Sequence, residues 1–240
     1  EFFPNIIFFG CFIVYIISIS GIFFITCYKL NFSMRPNILF ILVDGLRADQ
    51  CFGNDKKSHT PFLDSLLTKG PYFKNTYASA DGTMISLNCT FNSKFQFETG
   101  IRSRKLMLLE DNHIQNLKDS GYYISGLIPN LTSLKPLQKY LQNNDCTFDN
   151  NPPYETLPTG MTQRIMSLLN SLKNKQPWFC YIHLFDLHPL REGKKPLKIE
   201  EFETKDFGNS LYSQTVSSID HHLQKISEQV NFNNTLFILT

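Results

Sequence analysis

Residues 36–49 read P-N-I-L-F-I-L-V-D-G-L-R-A-D, and this stretch decides how the rest of the chain is interpreted. Residues 38–43 form an unbroken apolar run, too short for a helix and too continuous for a half-exposed strand. Such a run predicts a strand buried on both faces of a parallel sheet. Asp44 follows it directly, where open α/β sheets bind ligands. The alternative is an ordinary turn aspartate before Gly45.

Strands and helices are predicted to alternate along the remaining chain. Further strands are predicted at residues 72–79, 122–128, 178–184 and 235–239. Helical spacing of apolar residues occurs at residues 60–70, 84–97, 112–120, 162–172 and 209–230. This alternation predicts an α/β fold with a mostly parallel central sheet and helices on both faces. The most apolar runs, at residues 38–43, 178–184 and 235–239, are expected to be neighbouring central strands.

The N-terminal segment has a different character. Residues 6–28 carry no charged side chain and are almost wholly apolar, and as a helix they would span roughly 35 Å, enough for a hydrocarbon core of ~30 Å. We therefore predict a segment at residues 1–33 with one transmembrane helix, in contact with membrane lipid, and a domain at residues 34–240. Lys29 and Arg35 weakly favour a cytoplasmic domain, but the membrane side stays open. Translation from Met34 would instead give a cytoplasmic protein.

The composition excludes one class of partner. The chain has 23 Lys and Arg residues against 21 Asp and Glu residues, and a net charge this small does not indicate nucleic-acid binding. Its six cysteines show no C-x-x-C spacing, so neither a zinc site nor a disulfide framework is predicted. The chain begins with Glu1 and stops inside an apolar run. We therefore expect a fragment at both ends.

Polar residues follow several predicted strands. Asp44 ends the first strand, Thr83 opens the helical segment at residues 84–97, and Asp186 and His188 follow the strand at residues 178–184. Because carboxyl ends of parallel strands share one edge of a sheet, these side chains are expected to converge. A carboxylate suits a divalent cation such as Ca²⁺, Zn²⁺, Mn²⁺ or Mg²⁺. A hydroxyl beside that cation can act as a nucleophile, and a helix N-terminus can bind an anionic ester.

Several stretches, in order, resemble the sulfatase-like enzymes of the alkaline phosphatase superfamily. R-P-N-I-L-F-I-L-V-D at residues 35–44 resembles the family's first strand and metal-binding Asp. W-F-C-Y-I-H-L-F-D-L-H-P resembles its F-x-Y-x-H-x-x-D-P-H block, and L-Y-S-Q-T-V-S-S-I-D its Y-x-x-x-I-x-x-x-D helix. N-T-L-F-I-L-T resembles the strand before its Asp-His metal ligands. The resemblance covers residues 35–240 and implies a catalytic domain with two further ligands beyond Thr240, so the chain alone is expected to be inactive.

The departures from the family pattern narrow the chemistry. Sulfatases carry C-x-P-S-R or S-x-P-S-R, whose first residue becomes formylglycine, whereas residues 83–87 read T-M-I-S-L. Thr83 resembles instead the nucleophile of the branch that moves phosphoethanolamine or phosphoglycerol groups through phospho-threonine. The family's Arg is replaced by Leu87, and L-I-P-N at residues 127–130 replaces its G-K-W-H block.

The resemblance implies metal-dependent hydrolysis or transfer of sulfate or phosphate esters, on a glycan or a lipid head group. Thr83 is the predicted nucleophile and shares the metal with Asp44, while His188 and Asp186 bind substrate. Because the Arg, Lys and His of the sulfatase motifs are absent, the alternative to an enzyme is an inactive binding module.

Each candidate residue also has a structural alternative. Thr83 could act only as a helix N-cap, and Asp186 could only brace its loop. We interpret His183 as a packed strand residue, and His221 and His222 as exposed residues of a helix.

Overall fold

The computed structural model describes residues 35–73, 76–101, 105–151 and 154–240, together with three short strands nearer the N-terminus. These strands are β1 (Ile7–Phe9), β2 (Phe12–Val14) and β3 (Phe24–Thr26). The other residues of the segment 6–28, where a transmembrane helix is predicted, lie outside the described residues, and that helix stays a prediction. Within the described ranges, no helix has the length and apolar character needed to cross a bilayer.

The domain consists of alternating strands and helices. Its strands are β4 (Asn37–Val43), β5 (Tyr123–Pro129), β6 (Thr147–Phe148), β7 (Trp178–Leu184) and β8 (Thr235–Leu239). Its α-helices are α1 (Ala48–Cys51), α2 (Pro61–Leu67), α3 (Thr83–Asn92), α4 (Gln96–Thr99), α5 (His113–Asp119), α6 (Lys135–Gln138), α7 (Met161–Ser171), α8 (His188–Arg191) and α9 (Leu211–Ser227). Short 3₁₀ turns occur at Thr132–Leu134, Leu157–Thr159, Glu200–Phe202 and Lys205–Phe207.

The central sheet is mostly parallel, in the order β3-β8-β4-β7-β5-β6. Strand β4 pairs in parallel with β7 and β8, and β5 pairs in parallel with β7 and β6. Strand β3 pairs antiparallel with β8 at one edge. The predicted α/β fold is therefore confirmed, and the three most apolar runs are neighbouring central strands.

Both faces of the sheet are covered, which explains the unbroken apolar run of β4. Alternate residues such as Leu39 and Ile41 pack on one face, in a core that also contains apolar residues of α2, α7 and α9. Phe40 and Leu42 pack on the other face, with apolar residues of α3 and α5. Since consecutive side chains of a strand point to opposite faces, a strand between two cores needs an apolar residue at every position.

Two predictions of local structure are wrong. Among the described residues of the segment 72–79, only Tyr72 and Ala78 form isolated bridges instead of a strand. The many charged residues of the segment 191–206 predict a solvated excursion, yet Ile199 and Phe202 in it are buried. Phe202 contacts the ring of His221 on α9, so this excursion packs against the domain.

Helix α9 holds two other segments in place. The Tyr212 hydroxyl donates to Gly45 O at 2.6 Å and accepts from Arg47 N at 3.0 Å, which fixes the turn after β4. The Asp220 carboxylate accepts hydrogen bonds from Phe62 N at 3.0 Å and Leu63 N at 2.8 Å. Asp220 therefore caps the N-terminus of α2 from a distant part of the chain.

Thr60, a residue type preferred at helix N-caps, occupies the N-cap position of α2, but its side chain does not cap the helix. Its hydroxyl donates instead to Cys51 O at 3.4 Å. Asp220 of α9 therefore caps α2 in place of Thr60.

Replacing Asp220 by alanine should destabilise the domain by about 2 to 4 kcal/mol, because two buried N–H groups lose a charged acceptor. Asp220→Asn keeps one acceptor oxygen and should lose roughly half as much. Burial raises the pKa of Asp220 to about 6, so urea unfolding is measured at pH 8, where the carboxylate is ionised. The exposed Gln224 on the same helix provides the control, and a Gln224→Ala loss equal to that of Asp220→Ala would contradict the capping role.

Candidate active site

Three side chains surround the Asp44 carboxylate at the carboxyl end of β4. The Thr83 hydroxyl lies 3.3 Å from its Oδ1 and 3.2 Å from its Oδ2. His188 Nε2 lies 3.1 Å from Oδ2, and His183 Nε2 lies 3.5 Å from the same oxygen. The predicted approach of Asp44 and Thr83 is confirmed, and His188 joins them as expected.

Thr83 is positioned as a site residue by the start of α3. The N-cap of this helix is Gly82, and Thr83 is its first helical residue. The alternative, in which Thr83 serves as N-cap, is therefore wrong: its hydroxyl turns to Asp44. The N-cap residue Gly82 has no side chain that could cap α3, so the N–H groups of its first turn can bind an anion beside Thr83.

The two histidines are held by aromatic neighbours. The His188 ring stacks on Phe185 with a centroid distance of 3.8 Å and an interplanar angle of 7°. The Phe185 and His183 rings are nearly perpendicular with their centroids 5.1 Å apart, and His183 Nδ1 lies 3.1 Å from the Tyr181 hydroxyl. These contacts fix both imidazoles with a nitrogen facing Asp44.

Sequence reasoning assigned His183 to core packing and missed its place in the site. The residue is fully buried, as predicted, but it faces Asp44. A usable signal exists in the sequence: His183 stands next to the last residue of a strand that adjoins β4. In the parallel register it lies opposite Leu42, two residues before Asp44.

Asp186 is not brought to this cluster. Its Oδ1 accepts from Leu157 N at 2.8 Å, and its Oδ2 is buried without a hydrogen-bond partner in the described part of the chain. Burial raises the pKa of Asp186 to about 7 against the opposing effect of the Leu157 N–H. Asp186 therefore braces the loop after β7, which was the alternative, and substrate binding by Asp186 stays a prediction.

His221 and His222 were expected to be exposed, and both are half-buried. His222 Nδ1 lies 3.0 Å from the Thr162 hydroxyl on α7. Burial lowers the pKa of His222 to about 4, so this contact between α9 and α7 is made by a neutral imidazole at physiological pH.

Asp44 is held in its ionised form. Burial alone would raise the pKa of its carboxyl, but His183 and His188 together lower that pKa well below its ordinary value. A carboxylate with a lowered pKa is a weak proton acceptor, but its negative charge attracts cations and hydrogen-bond donors. Asp44 is therefore suited to orient the Thr83 hydroxyl and to bind a cation, and it is poorly suited to act as the base that deprotonates Thr83.

The donor set fits a divalent cation in part. The ionised Asp44 carboxylate and the Thr83 hydroxyl are adjacent oxygen donors, which suit Ca²⁺, Mg²⁺, Mn²⁺ or Zn²⁺. Over the described ranges, no group of three or more His, Cys, Asp or Glu side chains has the arrangement of a metal site. Asp44 and Thr83 can thus supply two ligands of a cation whose coordination they do not complete.

The positions that depart from the sulfatase pattern are occupied by core residues. Leu87, where sulfatases carry Arg, is fully buried in the apolar cluster on the α3 side of the sheet. Leu127 and Ile128, in place of the first residues of the G-K-W-H block, are each 1% exposed. These side chains contribute to packing and present no polar group to the site.

The fold and this strand-end site define an α/β protein of the sulfatase and alkaline phosphatase fold. Among solved structures, the chain is similar to a putative sulfatase, yidJ, from Bacteroides fragilis, with a TM-score of 0.61, 15% identity, and coverage of 85% of this chain and 61% of that one. It is also similar to the phosphonate monoester hydrolase of Agrobacterium radiobacter, with a TM-score of 0.60, 14% identity and coverage of 85% and 62%.

A third similar structure is the C-terminal periplasmic domain of EcEptC from Escherichia coli, with a TM-score of 0.58, 15% identity and coverage of 89% and 63%. The chain thus spans about 60% of the length of each of these structures. No curated protein matches it in sequence. The family model for sulfatases matches residues 36–240, and the chain therefore belongs to the sulfatase family.

Proposed function

We propose that residues 34–240 belong to the catalytic domain of a metal-dependent enzyme that hydrolyses or transfers sulfate or phosphate esters, with Thr83 as nucleophile. The observation that carries the proposal is the position of the Thr83 hydroxyl at the start of α3, 3.2 Å from the partly buried Asp44 carboxylate. A hydroxyl in this position combines an orienting acceptor with a helix N-terminus that can bind an anionic ester.

The chain's own groups have distinct roles in this mechanism. Asp44 accepts the Thr83 hydrogen bond and so directs an oxygen lone pair toward the ester. The N–H groups of the first turn of α3 bind its non-bridging oxygens, and His188 adds a further N–H beside them. Thr83 Oγ1 gives up its proton to solvent and forms a bond to phosphorus or sulfur as the bond to the leaving oxygen breaks, and the leaving alkoxide takes up a proton from solvent. A divalent cation at Asp44 and Thr83, when bound, lowers the pKa of that hydroxyl.

Phosphate esters are the better-supported substrates. Threonine cannot become formylglycine, and the position of the sulfatase Arg is occupied by the buried Leu87. A plain hydroxyl acting on a phosphoryl group requires neither. The ester is expected to be carried by a glycan or a lipid head group. If the apolar segment at residues 6–28 spans a membrane, the domain works beside membrane lipid.

The covalent adduct on Thr83 tests this proposal. The full-length protein, loaded with a divalent cation, is mixed with 4-nitrophenyl phosphate or, separately, 4-nitrophenyl sulfate, and quenched in acid. Mass spectrometry of the peptide that contains Thr83 should show an adduct from the phosphate ester. No adduct from either ester, together with 4-nitrophenol release, would contradict Thr83 as nucleophile.

A second candidate is a binding module without turnover. The observation that favours it is the replacement of polar sulfatase residues by buried Leu87, Leu127 and Ile128. It predicts saturable binding of an ester anion with neither adduct nor release of 4-nitrophenol. The same experiment therefore separates the two functions.

A further inference from the structure

A buried tyrosine lies behind the candidate active site. Tyr181 and His183 are two residues apart on β7, so their side chains share one face of the sheet. Both are fully buried. The Tyr181 ring is enclosed by Phe40 at 5.3 Å and Phe91 at 5.4 Å, each in an edge-to-face arrangement. This packing leaves the phenol little freedom to move away from His183.

A polar chain runs from this tyrosine to the site. The Tyr181 hydroxyl lies 3.1 Å from His183 Nδ1. On the opposite side of the ring, His183 Nε2 lies 3.5 Å from Asp44 Oδ2. That nitrogen has no hydrogen-bond partner in the described part of the chain, although it is fully buried. A buried polar atom without a partner, directed at the reacting centre, calls for an explanation.

The electrostatics of the chain select one tautomer of His183. Burial first, and then the charge of Asp44, raises the pKa of the Tyr181 phenol well above 10, so the phenol keeps its proton. An imidazole lone pair at Nε2 would face an ionised carboxylate, which is repulsive, whereas an N–H there is attracted to it. The His183 tautomer that avoids this repulsion therefore carries its ring proton on Nε2, and its Nδ1 accepts a hydrogen bond from the Tyr181 hydroxyl.

We propose that Tyr181 is a positioning residue, which holds His183 as the Nε2–H tautomer and aims that N–H at Asp44 and the ester. Its role in turnover rests on the function proposed above, whereas the tautomer does not. In this arrangement His183 is a hydrogen-bond donor to the site and not a ligand of the cation through Nε2.

The tautomer is measured by ¹⁵N NMR of the full-length, metal-free protein labelled at histidine, with the His183 signals assigned from His183→Gln. Wild-type protein should show an unprotonated Nδ1 and a protonated Nε2. Tyr181→Phe removes only the hydroxyl and should shift His183 toward a mixture of tautomers. A wild-type spectrum with the proton on Nδ1 overturns the proposal, whether or not the variant folds.

The matched control is Tyr122→Phe. Tyr122 is also buried, and its hydroxyl donates to Pro36 O at 3.0 Å, where these two residues directly precede β5 and β4. This variant should leave the His183 signals and turnover unchanged. If it shifts the His183 signals as much as Tyr181→Phe does, the effect is general loosening of the core and the proposal fails.

Turnover supplies the second measurement. Tyr181→Phe should lower kcat for ester turnover by about tenfold with little change in KM, and should have no further effect in a His183→Gln background. Equal effects of Tyr181→Phe in both backgrounds would overturn the proposed coupling. If the wild-type protein turns over no ester, the proposed function fails, and the tautomer in the NMR spectrum still decides the arrangement.

Discussion

Thr83→Ala should abolish ester turnover by the full-length, metal-loaded protein, with kcat falling by at least about 10³-fold. The reason is that the covalent route requires the Thr83 oxygen, which forms the bond to the phosphoryl or sulfuryl group. Thr83→Ser keeps a hydroxyl at the position that lies 3.2 Å from Asp44 in the native protein and loses only a methyl group. It should therefore retain a measurable fraction of the rate, with weaker orientation because serine is not β-branched.

The control for this pair is Thr90→Ala on the same helix. The Thr90 hydroxyl donates to Ser86 O at 3.0 Å and has no contact with Asp44. Release of 4-nitrophenol is followed for all three variants at equal metal concentration. Unchanged turnover in Thr83→Ala would show that the nucleophile lies elsewhere, and loss of turnover in Thr90→Ala would show that α3 tolerates no change of this kind.

Asp44→Asn should weaken cation binding and lower turnover by roughly 100-fold or more, because it removes the charge but preserves the shape of the side chain. Calorimetric titration with Zn²⁺, Mn²⁺, Mg²⁺ and Ca²⁺ measures the first effect. The matched control is Asp49→Asn, since Asp49 is an exposed carboxylate on the neighbouring helix, paired with Arg47 at 2.8 Å. Equal losses of affinity in the two variants would contradict a specific role for Asp44.

The same variant has a predictable effect on stability. The folded-state pKa of Asp44 is lowered, so its ionised form contributes stability above the ordinary pKa near 3.8. That contribution is lost as pH falls toward the folded-state pKa. Metal-free Asp44→Asn should therefore be less stable than wild type at pH 7 by about 1 to 3 kcal/mol, and the difference should shrink below pH ~4. A difference that grows on acidification, in urea unfolding at several pH values, would contradict this assignment.

The fold could be predicted because its decisive signals are local. The apolar run of β4 and those of β7 and β8 each identify a buried strand without reference to any other segment. The approach of Asp44 and Thr83 followed from a general property of parallel sheets, whose strands end at one edge.

The features that sequence reasoning missed depend on tertiary contacts. Every residue of β7 is buried, so the local sequence does not show which face His183 points to, or that Tyr181 meets its ring. The Asp220 carboxylate caps α2 although it lies 157 residues from Leu63 in the sequence. Because threonine is a preferred N-cap residue, the local sequence indicates Thr60 as the capping side chain instead of Asp220. The segment at residues 72–79 has a strand-like composition, but among its described residues no neighbouring strand pairs with it beyond isolated bridges.

The burial of Leu87 also bears on how proteins of this family can change over time. A single Leu87→Arg change would place a guanidinium in a fully buried apolar cluster with Phe40 and Phe91. An unpaired charge there costs several kcal/mol, which is a large share of the stability of a typical domain. Leu87→Arg as a single change is therefore expected to destabilise this domain strongly. The core behind α3 has to be rebuilt before, or together with, the change at this position.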